Sequence, residues 1–216
     1  MQAKRVDVDS KVLLDPTASQ WRDVPAETIS MGPTPAENQN SRYVELWARE
    51  RPYGKLEALT VRAAHNGKDV AFLLVWPDST QNADFLEGNS PDGAGILFPL
   101  KGDGPLNTMG SQSQPVNVWF WRADLENGAQ NLTASGLGTV EEAGDGQIAT
   151  GARWEAGTWQ VVLTRPLALK GQAEAAVQLE AGKSVKVAFA VWEGSSGERA
   201  GLKSFSKGWR ELELEA

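Results

Sequence analysis

The chain has 216 residues, a formal net charge of −7 and a pI near 4.9, with 41% hydrophobic and 23% charged residues. That length suits one domain with a full core, here residues 1–216, and the mix is wrong for disorder. The acidic balance argues against a nucleic-acid binder, which needs a basic patch, and the absence of cysteine excludes disulfides, cysteine-ligated zinc, iron–sulfur clusters and covalently attached c-type haem.

The opening MQAKRVDVDS carries no apolar segment of the signal-peptide kind, which fits either a cytosolic protein or a processed form with a start methionine. No apolar run approaches the ~20 residues of a membrane helix. VLLD (12–15) and ETISM (27–31) read as edge strands. KLEALTVRA (55–63) alternates, HNGK (65–68) supplies an Asn-Gly hairpin turn, and DVAFLLVW (69–76) is the continuous apolar run of a central strand, ended by Pro77. GAGILFPL (93–100) and PVNVWFWRAD (115–124) follow as strands; in the second, Val116, Val118 and Phe120 share one face and Asn117, Trp119 and Trp121 the other. IATGARWE (148–155) and GTWQVVLTRPL (157–167) flank a turn at Ala156-Gly157, and SVKVAFAVW (184–192) and GWRELELE (208–215) close the chain. QAEAAVQLEAG (172–182) is the only helix-like piece, short, and reads as a surface helix or as none. Many short strands at hairpin spacing predict an all-β, antiparallel sandwich with long loops.

Catalytic sets are thin. The sole histidine, His65, sits against the Asn-Gly turn and reads as a solvated turn residue, so neither a Ser-His-Asp triad nor a histidine-rich metal site has the neighbours it needs. VEEAGDG (140–146) reads as a solvated acidic loop, and Asn131-Leu-Thr133 is a weak glycosylation sequon. DSTQNADFLEGNSPDG (78–93) has oxygen ligands enough for calcium but lacks the EF-hand pattern, so a plain loop is the simpler reading.

Two loops stand out. KGDGPLNTMGSQSQP (101–115) holds Met109 among small polar residues, an odd setting for a side chain that normally fills cores. GSSGERAGLKSFSKG (194–208) holds Lys203 and Lys207. Read blandly, Met109 anchors its loop and both lysines are solvated. Four predicted strands lie between the loops, and an even number of reversals returns the chain to the same end, so Met109 and Lys203 could face each other across one mouth.

The Met109 loop running into PVNVWFWRAD, together with VWEGSSGERAGLKSFSKGW, resembles the haem-binding γ subunits of the ethylbenzene dehydrogenase, dimethylsulfide dehydrogenase, chlorate reductase and selenate reductase group. The resemblance implies a sandwich holding one non-covalent haem b, with Met109 and Lys203 as axial ligands of the iron. Met1 and Met31 lie outside the matching motifs, and Lys207 is the less fitting lysine, a surface charge. The resemblance further implies a non-catalytic electron-transfer role in a periplasmic complex, its signal peptide removed. The partners would be a molybdenum-cofactor α subunit, an iron–sulfur β subunit and a soluble c-type cytochrome. One histidine forbids bis-histidine ligation, thioether ligation raises the iron's potential, and lysine ligates only as the neutral amine. The alternative from another class is a carbohydrate-binding module with Trp119 and Trp121 as an exposed sugar platform; a third is a structural adaptor between larger subunits.

Overall fold

A computed structural model describes the chain apart from residues 86–87, 126–127, 144–147 and 173. In chain order the elements are β1 (Gln2–Arg5), α1 (Ser10–Leu13), β2 (Ala26–Pro33), α2 (Arg42–Glu50), β3 (Ala58–His65), β4 (Asp69–Pro77), β5 (Gly93–Pro99), β6 (Val116–Arg122) and β7 (Ala129–Ala134). They continue with β8 (Val140–Glu142), β9 (Ala149–Glu155), β10 (Thr158–Pro166), β11 (Ser184–Trp192), β12 (Ser204–Ser206) and β13 (Arg210–Leu214).

The strands form two layers. One contains β9-β10-β4-β3 with β2 beside β3, and the other runs β8-β7-β6-β5-β11-β12. Two strands belong to both. The first half of β2 pairs with β3 and its last residues with β12, while β11 pairs with β13 through Ser184–Val187 and with β5 from Ala188 onward. The antiparallel expectation holds for every pair but those of β1, which runs parallel to both β13 and β3.

Alternation along the strands decides what each face meets. From β4, Phe72, Leu74 and Trp76 enter the inter-sheet core, and from β6, Trp119 and Trp121 meet them there. The rings interlock edge-on, Phe72 with Trp119 at 5.6 Å and Trp121 with Trp159 at 5.0 Å between centroids. Burying each such side chain stabilises the fold by roughly 1.5–3 kcal/mol. From β6, one polar residue shares this face. Asn117 donates to Asn131 and the Leu132 carbonyl and accepts from Trp119 Nε1 and Val177 N, so its whole amide is satisfied. Asn131 is thereby buried, and the sequon is structural.

Several expectations are corrected. VLLD lies in and after α1, not in a strand, and caps the outer face of the first sheet with Leu13 and Trp21 against Leu73 and Val162. ETISM lies in β2, which is no edge but is flanked by β3 and β12. The longer described helix, α2, carried no signal in the sequence, whereas the 172–182 stretch takes the second of its two readings and forms no helix among its described residues. His65 is fully buried in β3 rather than solvated, and burial lowers its pKa. No described helix is long and apolar enough to cross a membrane.

Candidate cofactor-binding site

The outward faces of β5, β6, β7 and β11 carry a second apolar cluster, separate from the inter-sheet core. It contains Val116, Val118, Ala188, Ala190, Trp192 and Met109, with Phe120, Leu132 and Leu137 packed against it. Part of this cluster lines a cavity of about 440 Å³. The floor is Val118, Phe120, Leu132 and Trp192, and the walls come from the 78–92, 100–115 and 193–203 loops and from Leu137, Gly138 and Val140. Gly95 makes room for the floor, because a Cβ there would sit 3.3 Å from the Trp192 ring. The cavity therefore lies over the outside of the second sheet, not at an open end between the sheets.

Met109 is set by its backbone. A short 3₁₀ turn, Leu106–Thr108, ends on Met109 at φ 57°, ψ 51°, a left-handed conformation that costs an ordinary residue ~1–2 kcal/mol. Its amide donates to the Leu106 carbonyl at 3.1 Å, and its carbonyl accepts from Gly136 of the β7–β8 connection at 3.2 Å. Gly110 follows at φ 81°, where a Cβ would meet the Ala134 and Gln114 carbonyls at 2.9 Å. The turn thus drives a methionine side chain into the cavity wall at a conformational cost.

Lys203 is set by the strands on either side of it. β11 delivers the chain to Glu193, whose carboxylate accepts from Ser195 N and Ser196 N and caps the next 3₁₀ turn. Past Lys203, β12 locks immediately onto β11 and β2. Ser204 and Ser206 brace that lock by accepting from the backbone amides of Leu56 and Phe189, so they serve the fold and not the cavity. The Lys203 carbonyl accepts from Thr34 N. Its side chain is 1% exposed.

The two loops converge. Lys203 Nζ lies 3.0 Å from Met109 Sδ, 3.3 Å from the Ala200 carbonyl and 5.0 Å from the Trp192 ring centre. No carboxylate pairs with it among the described residues. Burial alone lowers its pKa from 10.5 to about 7, so a neutral amine is within reach at neutral pH. A soft thioether and a neutral amine, side by side and shielded from water, form a donor pair suited to a borderline-soft transition metal. Lys203 stands just behind the cavity wall formed by Met109, Ala200 and Gly201.

The sequence brought Met109 and Lys203 together on a strand count of four, whereas six strands, β6 to β11, lie between them. The two missed strands, β7 and β8, leave the count even. Lys207 is exposed, as expected, and Met31 is buried in the inter-sheet core. Arg122 and Arg199 both line the cavity; Arg122 pairs with Asp124 and covers the Phe85 ring, and Arg199 is exposed. Trp119 and Trp121 are 0% and 2% exposed, which rules out the sugar platform proposed for them. Sequence reasoning overlooked Trp192 and the buried Glu198, whose oxygens accept from Gly54 N and Glu193 N.

The family model described as Ethylbenzene dehydrogenase matches residues 18–147 and 132–204. The chain is 32% identical over 212 residues to a Haloferax mediterranei protein named as a respiratory nitrate reductase heme subunit, covering 95% of this chain and 71% of that one. It is 36% identical over 165 residues to the chlorate reductase subunit gamma of Ideonella dechloratans, covering 73% and 64% of the two chains. It is 28% identical over 202 residues to the dimethylsulfide dehydrogenase subunit gamma of Rhodovulum sulfidophilum, covering 90% and 73%. Among solved structures, a family 9 carbohydrate-binding module of Caldicellulosiruptor kristjanssonii in complex with glucose superposes with a TM-score of 0.56 at 10% identity, covering 100% of this chain and 95% of that one. The same module with cellotriose gives 0.55 at 9% identity, covering 100% and 93%. At such identity the likeness is one of fold alone: a β-sandwich.

Proposed function

The chain belongs to the ethylbenzene dehydrogenase family, and from that premise we propose that it is the haem b electron-transfer (γ) subunit of a periplasmic molybdenum oxidoreductase complex. It passes single electrons between the iron–sulfur and molybdenum subunits and a soluble c-type cytochrome, and performs no substrate chemistry of its own. The observation that carries this reading is the contact between Lys203 Nζ and Met109 Sδ at 3.0 Å, buried beside a cavity walled by aromatic and aliphatic side chains.

The residues fit one non-covalent haem per chain. Met109 and Lys203 would hold its iron, and both are donors suited to it. When bound, the group supplies a one-electron couple. Met109 contributes a thioether that favours the reduced metal, and Lys203 contributes an amine already partly neutral through burial. Val118, Phe120, Leu132 and Trp192 offer flat apolar contact and keep water from the metal. Arg122 and Arg199 at the cavity bring cationic groups to meet carboxylates at the rim.

The test is a visible spectrum of purified protein, oxidised and dithionite-reduced, for the parent and for Met109→Ala and Lys203→Ala. Low-spin b-type bands in the parent that turn high-spin or vanish in each variant are the expected result. A parent that stays colourless after haemin is added would overturn the reading.

A further inference from the structure

The loop between β4 and β5 begins at Asp78 and ends at Asp92, and both carboxylates are buried, at 4% and 0% exposure. Glu193, at the end of β11, joins them: one oxygen from each of the three lies within 4.8 Å of the others. Like charges this close, away from water, repel strongly. No lysine, arginine or histidine forms an ion pair with any of them among the described residues.

Two of the three are fixed as acceptors by backbone and indole donors. Asp92 Oδ1 accepts from Gly194 N at 2.8 Å, and Oδ2 accepts from Asn82 N at 2.8 Å and Trp159 Nε1 at 2.9 Å. Glu193 accepts from Ser195 N at 2.9 Å and Ser196 N at 3.1 Å. Asp78 is different. Its Oδ1 accepts from Thr80 N at 3.1 Å, but Oδ2 is buried with no partner among the described residues. Leaving a buried polar oxygen unpaired costs about 1–3 kcal/mol, and more when it is charged. Ser90, on the same loop and bonded through its amide to the Gly194 carbonyl, also leaves its hydroxyl buried without a partner.

We propose that Asp78, Asp92 and Glu193 bind a hard divalent cation of the calcium class, which clips both ends of the 78–92 loop to the start of the Lys203-bearing loop. All three donors are carboxylate oxygens, the ligand type such ions take at 2.3–2.6 Å. Cysteine is absent from the chain and the one histidine is in β3, so zinc-type ligands are missing. The placement gives the ion a consequence. Phe85, Ser90 and Pro91 from one loop and Glu198 to Gly201 from the other wall the same cavity, so the ion would tie two of its walls together.

The experiment uses the purified chain after chelation, titrated with calcium chloride by calorimetry and with terbium by luminescence sensitised through Trp159, which bonds Asp92 directly. Saturable binding with near-unit stoichiometry, terbium displaced by calcium, and a loss of affinity of ~10-fold or more in Asp78→Asn are expected. Asp84→Asn, an exposed carboxylate on the same loop, should bind as the parent does. Folding is controlled by the chelated proteins: Asp78→Asn removes a buried repulsion and should melt no lower than the parent in EDTA. Absence of saturable calcium binding by the parent, or equal binding by parent and Asp78→Asn, would overturn the proposal. Neither result depends on haem.

Discussion

Lys203→Met in the cofactor-free protein is the sharpest perturbation available. In water the amine is protonated at neutral pH, whereas burial brings its pKa from 10.5 to about 7 in the fold. That difference corresponds to roughly 5 kcal/mol of stability lost at pH 7, an upper figure because the surroundings relax. Its only polar contacts are a thioether and one carbonyl, which return little. Replacing a buried charge by an apolar side chain of similar volume typically gains about 1–4 kcal/mol. Taking ~2 kcal/mol, the melting temperature should rise by about 4–8 °C at this chain length. The pH profile carries a second signature. Between about 7 and 10.5 the unfolded chain binds a proton at this position that the folded chain does not, so the parent's stability rises with pH across that window. Lys203→Met should lose that slope. The assay is thermal unfolding of haem-free parent and variant from pH 6 to 10. A variant that melts lower at pH 7, or that keeps the parent's slope, would show that Lys203 is a stabilising structural residue and that its burial was misjudged.

Met109→His in the haem-loaded protein should lower the midpoint potential, because a nitrogen ligand favours the oxidised metal more than a thioether does; spectroelectrochemistry reads the shift. Trp119→Ala should destabilise by about 3–5 kcal/mol, since its ring fills the inter-sheet core against Phe72 and Phe98, and denaturant unfolding will measure it. Asp78, facing Asp92 and Glu193, and Glu198, facing Glu193 and Asp78, are both pushed up to about 7, chiefly by burial and then by those neighbouring carboxylates. Folded-state carboxylates raised in this way hold protons the unfolded chain has released. Stability of the chelated protein should therefore fall as pH rises from about 4 to 7, and calcium should cancel the fall at the Asp78 end.

Long apolar strands were legible because their patterns have one reading. The 184–192 run is β11 to the residue, and 69–76 is β4 less Pro77. β7 and β8, AQNLTA and VEE, were missed because neither presents an alternating apolar face; each owes its strand form to pairing with β6 or β7. His65 was misplaced by one turn: the Asn-Gly signal was right, but β3 runs through His65 and β1 pairs with it at Arg5. The alternation in β6 separated its two faces correctly. What a single strand does not reveal is which face a second sheet will cover, so Trp119 and Trp121 were assigned outward when they point into the core. That the Met109 and Lys203 side chains meet was readable from strand parity. Glu193 was not readable as a neighbour of Asp78 and Asp92, because only the pairing of β11 with β5 brings it there.

The seat of the cavity on the outside of the second sheet bears on how such a protein matures. The aromatic interior between the layers contains neither Met109 nor any residue of the Lys203 loop. A polypeptide built this way can complete its aromatic core independently of what the outer cavity holds.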